Sequence, residues 1–446
     1  MSQFPHCRFT PQFHPRFFVD VRHNRVFLHS GWENLTIQGT LATRVARLID
    51  GRHTVSEIAA AVEGENSLFE VIWLLTELQE RGVVYEKDLL SSDDFTFLRI
   101  YSAPDDPLLC AAVVRCPGAY GLGKGLGTEA AFASAHFEAL EIECTYLRAA
   151  GSVLHSSAES LNGLAIFPNS VQLFSDQQKV PFDPSKVMDW LPVKSSTGKL
   201  RFLPKDVALP GCFDLNGVGC GRTTKDAVRH GLLELVERDA LAIWWYNRLR
   251  RPAVDWRSAQ DDYLIRVDTF LRKRGSSFWI LDITADLEIP VVVAISSFPL
   301  CMGFSAHPNA LIAIRNAVAE LVQMCLLRDH ASELWREPSL IDWWRDIEVE
   351  NATYLQPNGL VPIATASSGE LDSRLQAMGF EIFVLDCTQP QFDRSVVRVF
   401  VPGLRPPQPR FADGRLYDVP IQLGDRSEPI REEEMNQPLF PEYLNA

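Results

Sequence analysis

Three stretches of this chain carry the same sparse pattern of small and oxygen-bearing residues. Small residues stand seven and three positions before a Glu, and a carboxylate or amide stands three positions after it. The members are Ala131, Ala135, Glu138 and Glu141; Ala227, Gly231, Glu234 and Glu237; and Ala313, Ala317, Glu320 and Gln323. In a helix these positions share one face, so each strip ends in two oxygen ligands. The pattern predicts a polyanionic pocket around a hard cation.

Carboxylates dominate the charge of the first stretch. Between residues 130 and 146 the charged residues are Glu138, Glu141 and Glu143. Buried carboxylates are costly unless a cation or hydrogen-bond donors neutralise them. Mg²⁺ commonly combines one or two carboxylates with substrate phosphates. A nucleoside triphosphate is therefore the expected ligand, and the alternative is that each acidic pair is a solvated helix face.

A glycine-rich stretch at 121–127 precedes the first of these helices and contains Lys124. The sequence contains no GxxxxGK[ST] motif. Glycines ahead of a helix would let backbone amides approach a phosphate, and Lys124 would add positive charge. The alternative is a flexible turn into the helix.

Length and composition are typical of a globular protein with more than one core. The chain has 446 residues, 46% hydrophobic and 22% charged. Its net charge of -14 argues against a nucleic-acid partner. Nine cysteines without a CxxC pair indicate reduced, buried thiols. Because we find neither an apolar run of the ~20 residues that span a bilayer nor a signal segment, we expect a cytoplasmic protein with no membrane partner.

The first part of the chain is predicted to contain three strands and then three helices. Strand patterns cover 16–21, 25–29 and 34–39, and helical patterns cover 41–49, 55–62 and 67–81. Thr54 is the expected N-cap of the second helix. This order predicts a small winged-helix-like domain. Glu70, Glu77 and Glu80 on the third helix would repel phosphate, so DNA binding is not expected.

This region resembles the PqqD-like RiPP recognition element in the segments LIDGRHTVSEI at 48–58 and LQERGVV at 78–84. The resemblance implies that the leader of a ribosomal precursor peptide adds as a strand beside the third strand and packs on the third helix. The implied leader-binding residues are Asn34, Leu35, Thr36, Ile37, Phe69 and Trp73. The alternatives are a structural winged helix and a dimerisation module.

We expect an α+β protein in three parts. The leader-binding domain is placed at 1–88, a polar linker at 89–106 and a catalytic domain at 107–446. Within the catalytic domain, buried strands are predicted at 279–284, 290–295 and 396–401.

The catalytic region resembles the YcaO family. The motifs that carry the resemblance are GKG at 123–125, SA at 134–135, EALE at 138–141, NG at 216–217, ELVERDA at 234–240, Arg315, ELVQ at 320–323 and VPGL at 401–404. The resemblance implies ATP between helices, with Mg²⁺ ions held by Glu138, Glu141, Glu234 and Glu237. The implied catalytic residues are Glu237, Arg238, Glu320 and Gln323. The implied ATP contacts are Lys124, Ser134, Glu138, Arg222, Asp226, Glu234, Arg238 and Arg315.

Three positions depart from the family pattern. Ile142 replaces a usual Arg, and Arg222 and Asp226 stand where asparagine and glutamate are common. The end of the chain, at 438–446, also lacks the alternating prolines typical of azoline-forming members. These departures leave the reaction subtype open without affecting the expectation of ATP binding.

The resemblance implies a reaction in which the γ-phosphoryl group of ATP activates a peptide-bond oxygen. Cys, Ser or Thr side chains of a precursor peptide would then close to azolines. The alternatives are thioamide or amidine formation and a non-catalytic, peptide-recruiting subunit. The implied partners are the precursor peptide, a flavin-dependent azoline dehydrogenase and other synthetase subunits, in an oligomer or complex.

Overall fold

The computed structural model describes residues 10–14, 17–29, 34–62, 67–80, 83–85, 95–103, 106–116, 120–149, 153–176, 181–209, 215–328, 349–365 and 370–435. Over these ranges the chain forms an α+β fold. The cysteines within them are free thiols and buried, as their scattered spacing predicts.

The amino-terminal module, which we define as the described residues 10–85, has a core of its own. Its elements are β1 (Gln12–Phe13), β2 (Phe18–Arg22), β3 (Arg25–His29), β4 (Asn34–Gln38), α1 (Thr40–Ala46), α2 (Val55–Ala61), α3 (Ser67–Glu80) and β5 (Val84–Tyr85). The three predicted strands form an antiparallel sheet in the order β2-β3-β4. Thr54 caps α2 as predicted, in a capping box with Glu57. The small sheet that pairs β1 with β5 is not predicted, because two-residue strands carry no periodicity.

The predicted linker at 89–106 contains a strand. β6 (Thr96–Ala103) pairs with β7 (Asp106–Arg115), which pairs with β8 (Tyr120–Leu126), and α4 (Thr128–Ala149) follows. The inward side chains of Tyr101 and Ala103 are buried, whereas Ser102 between them is exposed. The polar residues on both sides of β6 conceal this alternation, so the linker boundary in the prediction is wrong at this strand.

A second sheet has the order β11-β10-β18-β19-β12, and β9 also pairs with β10. Its strands and the helices between them are β9 (Leu154–Ser157), α5 (Pro168–Gln172), β10 (Val187–Ser195), β11 (Leu200–Pro204), α6 (Lys205–Ala208), β12 (Val218–Gly221) and α7 (Thr224–Asn247). The later members are α10 (Leu371–Ala377), β18 (Phe383–Asp386), β19 (Ser395–Phe400) and α11 (Arg415–Gln422).

A third sheet has the order β16-β15-β14-β13-β17, in which only the β13–β17 pair is parallel among the described strands. Its elements are β13 (Ala253–Val254), α8 (Asp262–Lys273), β14 (Phe278–Asp282), β15 (Val291–Ser296), β16 (Met302–Ala306), α9 (Ala310–Arg328) and β17 (Leu360–Val361). The strands predicted at 279–284, 290–295 and 396–401 correspond to β14, β15 and β19, each displaced by one residue at its start.

One described helix, α9, is long and apolar enough to span a membrane, with a mean hydropathy of 1.6. However, 72% of its most apolar window is buried inside the fold, and it packs on β15 and β16. An apolar helix that is enclosed by its own sheet is a core helix.

Three strand–helix units explain the small residues of the sequence pattern. The first unit is β8 with α4, the second is β12 with α7, and the third is β16 with α9. In each unit a glycine of the strand faces the small residues of the helix. A Cβ on Gly123, Gly219 or Gly303 would overlap the carbonyl oxygen of Ala131, Ala227 or Ala317, respectively. The small strips therefore let each helix backbone lie directly on its strand.

The glycine-rich stretch at 121–127 consequently has a different role from the predicted phosphate-binding turn. Residues 120–126 form β8, and Gly121, Gly123 and Gly125 all face α4. Lys124 lies on the opposite face of the strand, because side chains alternate along β8. The glycines serve helix packing, and the side chain of Lys124 reaches the carboxylates described next.

Candidate functional site

The three helices bring five glutamates together. We call Glu138, Glu141, Glu234, Glu237 and Glu320 the carboxylate cluster. Two cations lie among them. Lys124 Nζ is 3.1 Å from Glu320 Oε2, and Arg238 lies 3.7 Å from Glu234 and 3.5 Å from Glu237. The structure therefore assembles these sequence-predicted residues into one site.

Within its own unit, the glutamate that follows the small residues of each helix accepts a hydrogen bond from the backbone of the strand segment beside it. The pairs are Glu138 with Leu122, Glu234 Oε2 with Gly217 N at 2.9 Å, and Glu320 Oε2 with Phe304 N at 3.3 Å. These bonds fix the carboxylates against the strands and leave further oxygen lone pairs available.

Contacts between units run in a cycle. α4 contacts β12, α7 contacts β16, and α9 contacts β8. The polar links are Glu141 Oε1 with Cys220 N at 2.6 Å, Glu237 Oε2 with Ala306 N at 3.3 Å, and Lys124 Nζ with Glu320 Oε2 at 3.1 Å. Each unit thus reaches the strand of the next one, and the cluster lies where all three meet.

Burial raises the pKa of three members of this cluster. Desolvation raises the pKa of Glu138 to about 7, against the opposing charge of Lys124. Desolvation likewise raises the pKa of Glu237 to about 7, although Arg238 lowers it. The pKa of Glu141 is raised well above its ordinary value by desolvation and by the charges of Glu234 and Glu138. Carboxyl groups with a raised pKa release protons when they bind a cation.

Gln323 occupies in α9 the position that Glu141 and Glu237 occupy in their helices. The residue is 1% exposed, and its Nε2 has no hydrogen-bond partner in the structure. A buried amide donor without a partner is costly, so a group that brings an acceptor would stabilise it. The amide in place of a third carboxylate also gives this side of the site a donor for an anionic ligand.

The donor set suits a metal that is only partly coordinated by protein. In the described part of the chain, no three His, Cys, Asp or Glu side chains stand close enough together to hold a metal ion by themselves. Mg²⁺ usually takes one or two carboxylates and completes its shell with water and phosphate oxygens. Desolvated carboxylates beside Lys124 and Arg238 fit Mg²⁺ together with a polyphosphate.

Four other residues that are predicted to contact ATP lie outside the carboxylate cluster. Arg315 Nε donates to Asp261 Oδ2 at 2.6 Å, so this guanidinium is engaged at the start of α8. Asp226 accepts from the Thr223 hydroxyl at 2.8 Å in the capping box of α7. Arg222 is exposed in the turn before α7, and Ser134 is half-buried on α4. The structure does not bring these residues into the carboxylate cluster, and their ATP contacts remain predictions.

The predicted leader-binding residues lie on β4 and α3. β4 pairs with β3 and forms an edge of its described sheet. Leu35 and Ile37 are half-buried, Thr36 is exposed, and Trp73 is 60% exposed on α3. Asn34 belongs to β4, and Phe69 to α3, but the side chains of both lie outside the described part of the structure.

Two buried polar networks beside the site were not predicted from sequence. Glu143, on the same helix as Glu138 and Glu141, pairs with His14 of the amino-terminal module at 3.1 Å. Asp239, which follows Arg238, pairs with Arg415 of α11 at 2.6 Å. A charged residue within an apolar helix indicates that a residue of opposite charge or a hydrogen-bonding group lies beside it. The sequence does not indicate where in the chain that residue lies.

Comparisons with known proteins find a matching family. A family model for the YcaO cyclodehydratases, described as ATP- and Mg²⁺-binding, matches residues 122–405. An uncharacterised protein from Methanothermobacter thermautotrophicus is 26% identical over 316 residues, 63% of this chain and 80% of that protein.

Solved structures share the fold. A heterocyclase in complex with substrate and cofactor superposes with a TM-score of 0.69 at 20% identity, over 97% of this chain and 100% of that one. YcaO from Methanopyrus kandleri, bound with AMPPCP and Mg²⁺, gives a TM-score of 0.51 at 20% identity, over 75% and 89%. Likeness at this identity shows the fold alone.

Proposed function

This chain belongs to the YcaO family, which binds ATP and Mg²⁺, and we propose that it uses them to activate backbone amides of a ribosomal precursor peptide. The observation that carries the proposal is the carboxylate cluster, in which three helices supply five glutamates beside Lys124 and Arg238. A desolvated acidic site with two cations suits a metal–polyphosphate better than either component alone.

The proposed roles follow from the geometry. Glu138, Glu141, Glu234 and Glu237 would hold Mg²⁺ together with phosphate oxygens, because these carboxylates are close enough for their charges to act on one another. Lys124, Arg238 and the unpartnered amide of Gln323 would donate to phosphate oxygens. When bound, ATP and Mg²⁺ supply the phosphoryl group and neutralise the charge on it during transfer. Glu320 would orient Lys124 through their 3.1 Å contact.

The proposed reaction is azoline formation. A Cys, Ser or Thr side chain of the peptide attacks the preceding amide carbonyl, the oxyanion takes the γ-phosphoryl group, and the oxygen leaves as phosphate. The product has lost one water in total, and ATP has become ADP and phosphate. Sulfide as the nucleophile would give a thioamide, and an amine would give an amidine.

A leader-binding role for the amino-terminal module supports azoline formation at several sites of one tethered peptide. β4 is a sheet edge, so its outward backbone groups can pair with an added strand. Trp73 on α3 is 60% exposed, which is unusual for so large an apolar side chain in a module that has a core of its own. A flavin-dependent dehydrogenase and other synthetase subunits are the further partners that we propose.

The alternative is a peptide-recruiting subunit that catalyses nothing. One observation favours it: the Asp226 carboxylate is already used to cap α7, although the family commonly places a glutamate there for function.

Mass spectrometry distinguishes these possibilities. The purified chain is incubated with ATP, Mg²⁺ and synthetic peptides encoded next to its gene, and with the same mixture lacking ATP. Loss of water at a Cys, Ser or Thr, located by fragmentation, supports the proposal. Exchange of oxygen for sulfur would assign the chain to thioamide formation. Unmodified peptide together with no peptide-stimulated phosphate release, with the partner subunits present, would support the recruiting role.

A further inference from the structure

A fully buried polar contact joins the amino-terminal module to α4. His14 Nε2 lies 3.1 Å from Glu143 Oε1, and both side chains are 0% exposed. The His14 ring also meets the Tyr146 ring edge-on, with centroids 5.6 Å apart. His14 precedes the module's three-stranded sheet, whereas Glu143 and Tyr146 belong to the helix that carries Glu138 and Glu141.

His14 is held firmly within the module. Its backbone N–H donates to the Val83 carbonyl at 2.8 Å, next to the β1–β5 pair. The carbonyl of Pro11, the residue before β1, accepts a hydrogen bond from Gly51 N at 2.9 Å. Because this segment is bonded both to the strand after α3 and to the turn before α2, His14 cannot shift without the module.

Glu143 lies on α4, the helix that also carries the proposed Mg²⁺ ligands Glu138 and Glu141. It lies two positions after Glu141, whose Oε1 accepts from Cys220 N at 2.6 Å. α4 is continuous over Thr128–Ala149, and its small strip lies directly on β8, so it moves as one body. Breaking a buried polar pair costs free energy, and the structure relaxes by moving the elements that carry the two partners.

We propose that the His14–Glu143 pair is a positioning contact that couples the amino-terminal module to Mg²⁺–nucleotide binding. The inference rests on the proposed roles of Glu138 and Glu141 in that binding. The docked module holds α4 in the orientation that the carboxylate cluster needs in order to bind Mg²⁺ and nucleotide. Thermodynamic linkage then makes the effect reciprocal: nucleotide binding strengthens docking of the module, and any ligand that alters docking alters nucleotide affinity.

The test uses AMPPCP with Mg²⁺ as the probe. Affinity is measured by calorimetry, and backbone hydrogen exchange is followed with and without the probe. In the wild type, the probe should slow exchange at 10–14 and 83–85. His14→Ala and Glu143→Ala should each weaken binding about 10-fold, within the usual range of coupling between sites, and abolish that protection. The two effects should not add up in the double variant, because both single variants already remove the same polar contact.

Two further variants make the result specific. His14→Gln keeps a donor near the position of Nε2 and should restore affinity to within about 3-fold of the wild type. His155→Ala is the matched control, because His155 pairs with Asp189 at a similar 3.0 Å but is 72% exposed; it should change nothing. If His14→Ala does not fold, His14→Leu, which fills the space without hydrogen bonding, replaces it in the comparison with His14→Gln.

The possible failures are distinguishable. If the wild type does not bind AMPPCP with Mg²⁺, the proposed nucleotide site fails. If the wild type binds the probe while the His14 and Glu143 variants bind it equally well, or while the module's exchange is unaffected by it, the positioning role is overturned and the nucleotide site stands.

Discussion

Lys124 Nζ lies 3.1 Å from Glu320 Oε2, and this contact joins the strand of the first strand–helix unit to the helix of the third. It closes the cycle that Glu141 and Glu237 begin through the backbone amides of Cys220 and Ala306. Glu141, Glu237 and Lys124 are therefore each positioned by a unit other than their own. Substitutions in the cluster should affect ligand binding and the contact between units together.

Replacement of Glu237 by Gln should remove most turnover. The change keeps the size of the side chain but removes a proposed Mg²⁺ ligand, so we expect phosphate release to fall about 100-fold or more. The Gly217–Glu234 and Cys220–Glu141 contacts do not involve Glu237, so the fold should persist. Circular dichroism and a phosphate-release assay measure the two effects. Glu129→Gln, an exposed change on α4, is the control, and equal activity of the two variants would exclude the proposed role.

Stability in EDTA should depend on the protonation of Glu138. Desolvation raises its folded-state pKa from 4.5 to about 7, so the folded state binds the proton more tightly than the unfolded state does. This contribution is complete below about 4.5 and is lost as the pH rises through about 7. Glu138→Gln should therefore melt at a higher temperature than the wild type at pH 8, with a smaller difference at pH 5. A difference that is the same at both pH values would contradict the assignment.

Mg²⁺–nucleotide binding should release protons near neutral pH. Glu138 and Glu237 each have a pKa raised to about 7 by desolvation, and a cation binds their ionised forms. The apparent affinity for Mg²⁺ with AMPPCP should consequently increase between pH 6 and pH 8. Calorimetry in two buffers of different ionisation enthalpy measures the released protons directly. Heats that do not depend on the buffer would show that the cluster is already ionised before binding.

Gly303→Ala should destabilise the fold. The added methyl group would overlap the Ala317 carbonyl oxygen and the Leu321 amide, both backbone atoms of α9, so the helix must move off β16. We expect a loss of about 3 kcal/mol in the free energy of unfolding, at the upper end of the usual overpacking cost. Urea denaturation measures it. In Gly359→Ala the new methyl group would have its nearest neighbour at 4.0 Å, and the change should be neutral.

Trp73→Ala should separate peptide binding from catalysis. The side chain is 60% exposed on α3, so its removal should leave peptide-independent phosphate release unchanged. The affinity for a fluorescent precursor peptide, once mass spectrometry has identified one, should fall about 10-fold, as for an aromatic anchor of an interface. Fluorescence anisotropy gives the affinity. Phe298→Ala, at a side chain 72% exposed in the third sheet's loop, is the control and should bind like the wild type.

The sequence predicts the chemical groups of the site better than their environment. Glu138, Glu234 and Glu320 recur at a fixed distance from small residues, so local spacing identifies them. The function of the small residues depends on which strand lies beneath each helix, and that information is distant in sequence. For this reason the sequence predicts a phosphate beside the glycines around Lys124, whereas in the structure these glycines face α4. The repeat Gly121, Gly217 and Gly303, at the same intervals as the three helices, is the signal that identifies the strand partners.

The direction of a charged side chain is likewise difficult to infer from one helix. Glu141 and Glu143 are two positions apart and therefore point to different sides of α4. One reaches Cys220 in the next unit, and the other reaches His14 in the module. Arg315 is a second example. The family motif predicts a contact with ATP, but the guanidinium of Arg315 pairs with Asp261 at the start of α8.

The cyclic arrangement of the three units has a consequence for how the protein is made. Glu141 finds its amide only after β12 has been synthesised, Glu237 only after β16, and Lys124 only after α9. In an emerging chain Glu141 and Glu237 are exposed to solvent and ionised, because the burial that raises their pKa is complete only when the third unit has docked. A truncated or half-folded chain therefore lacks the complete site that we propose for Mg²⁺ and nucleotide, since the links span distant parts of the sequence.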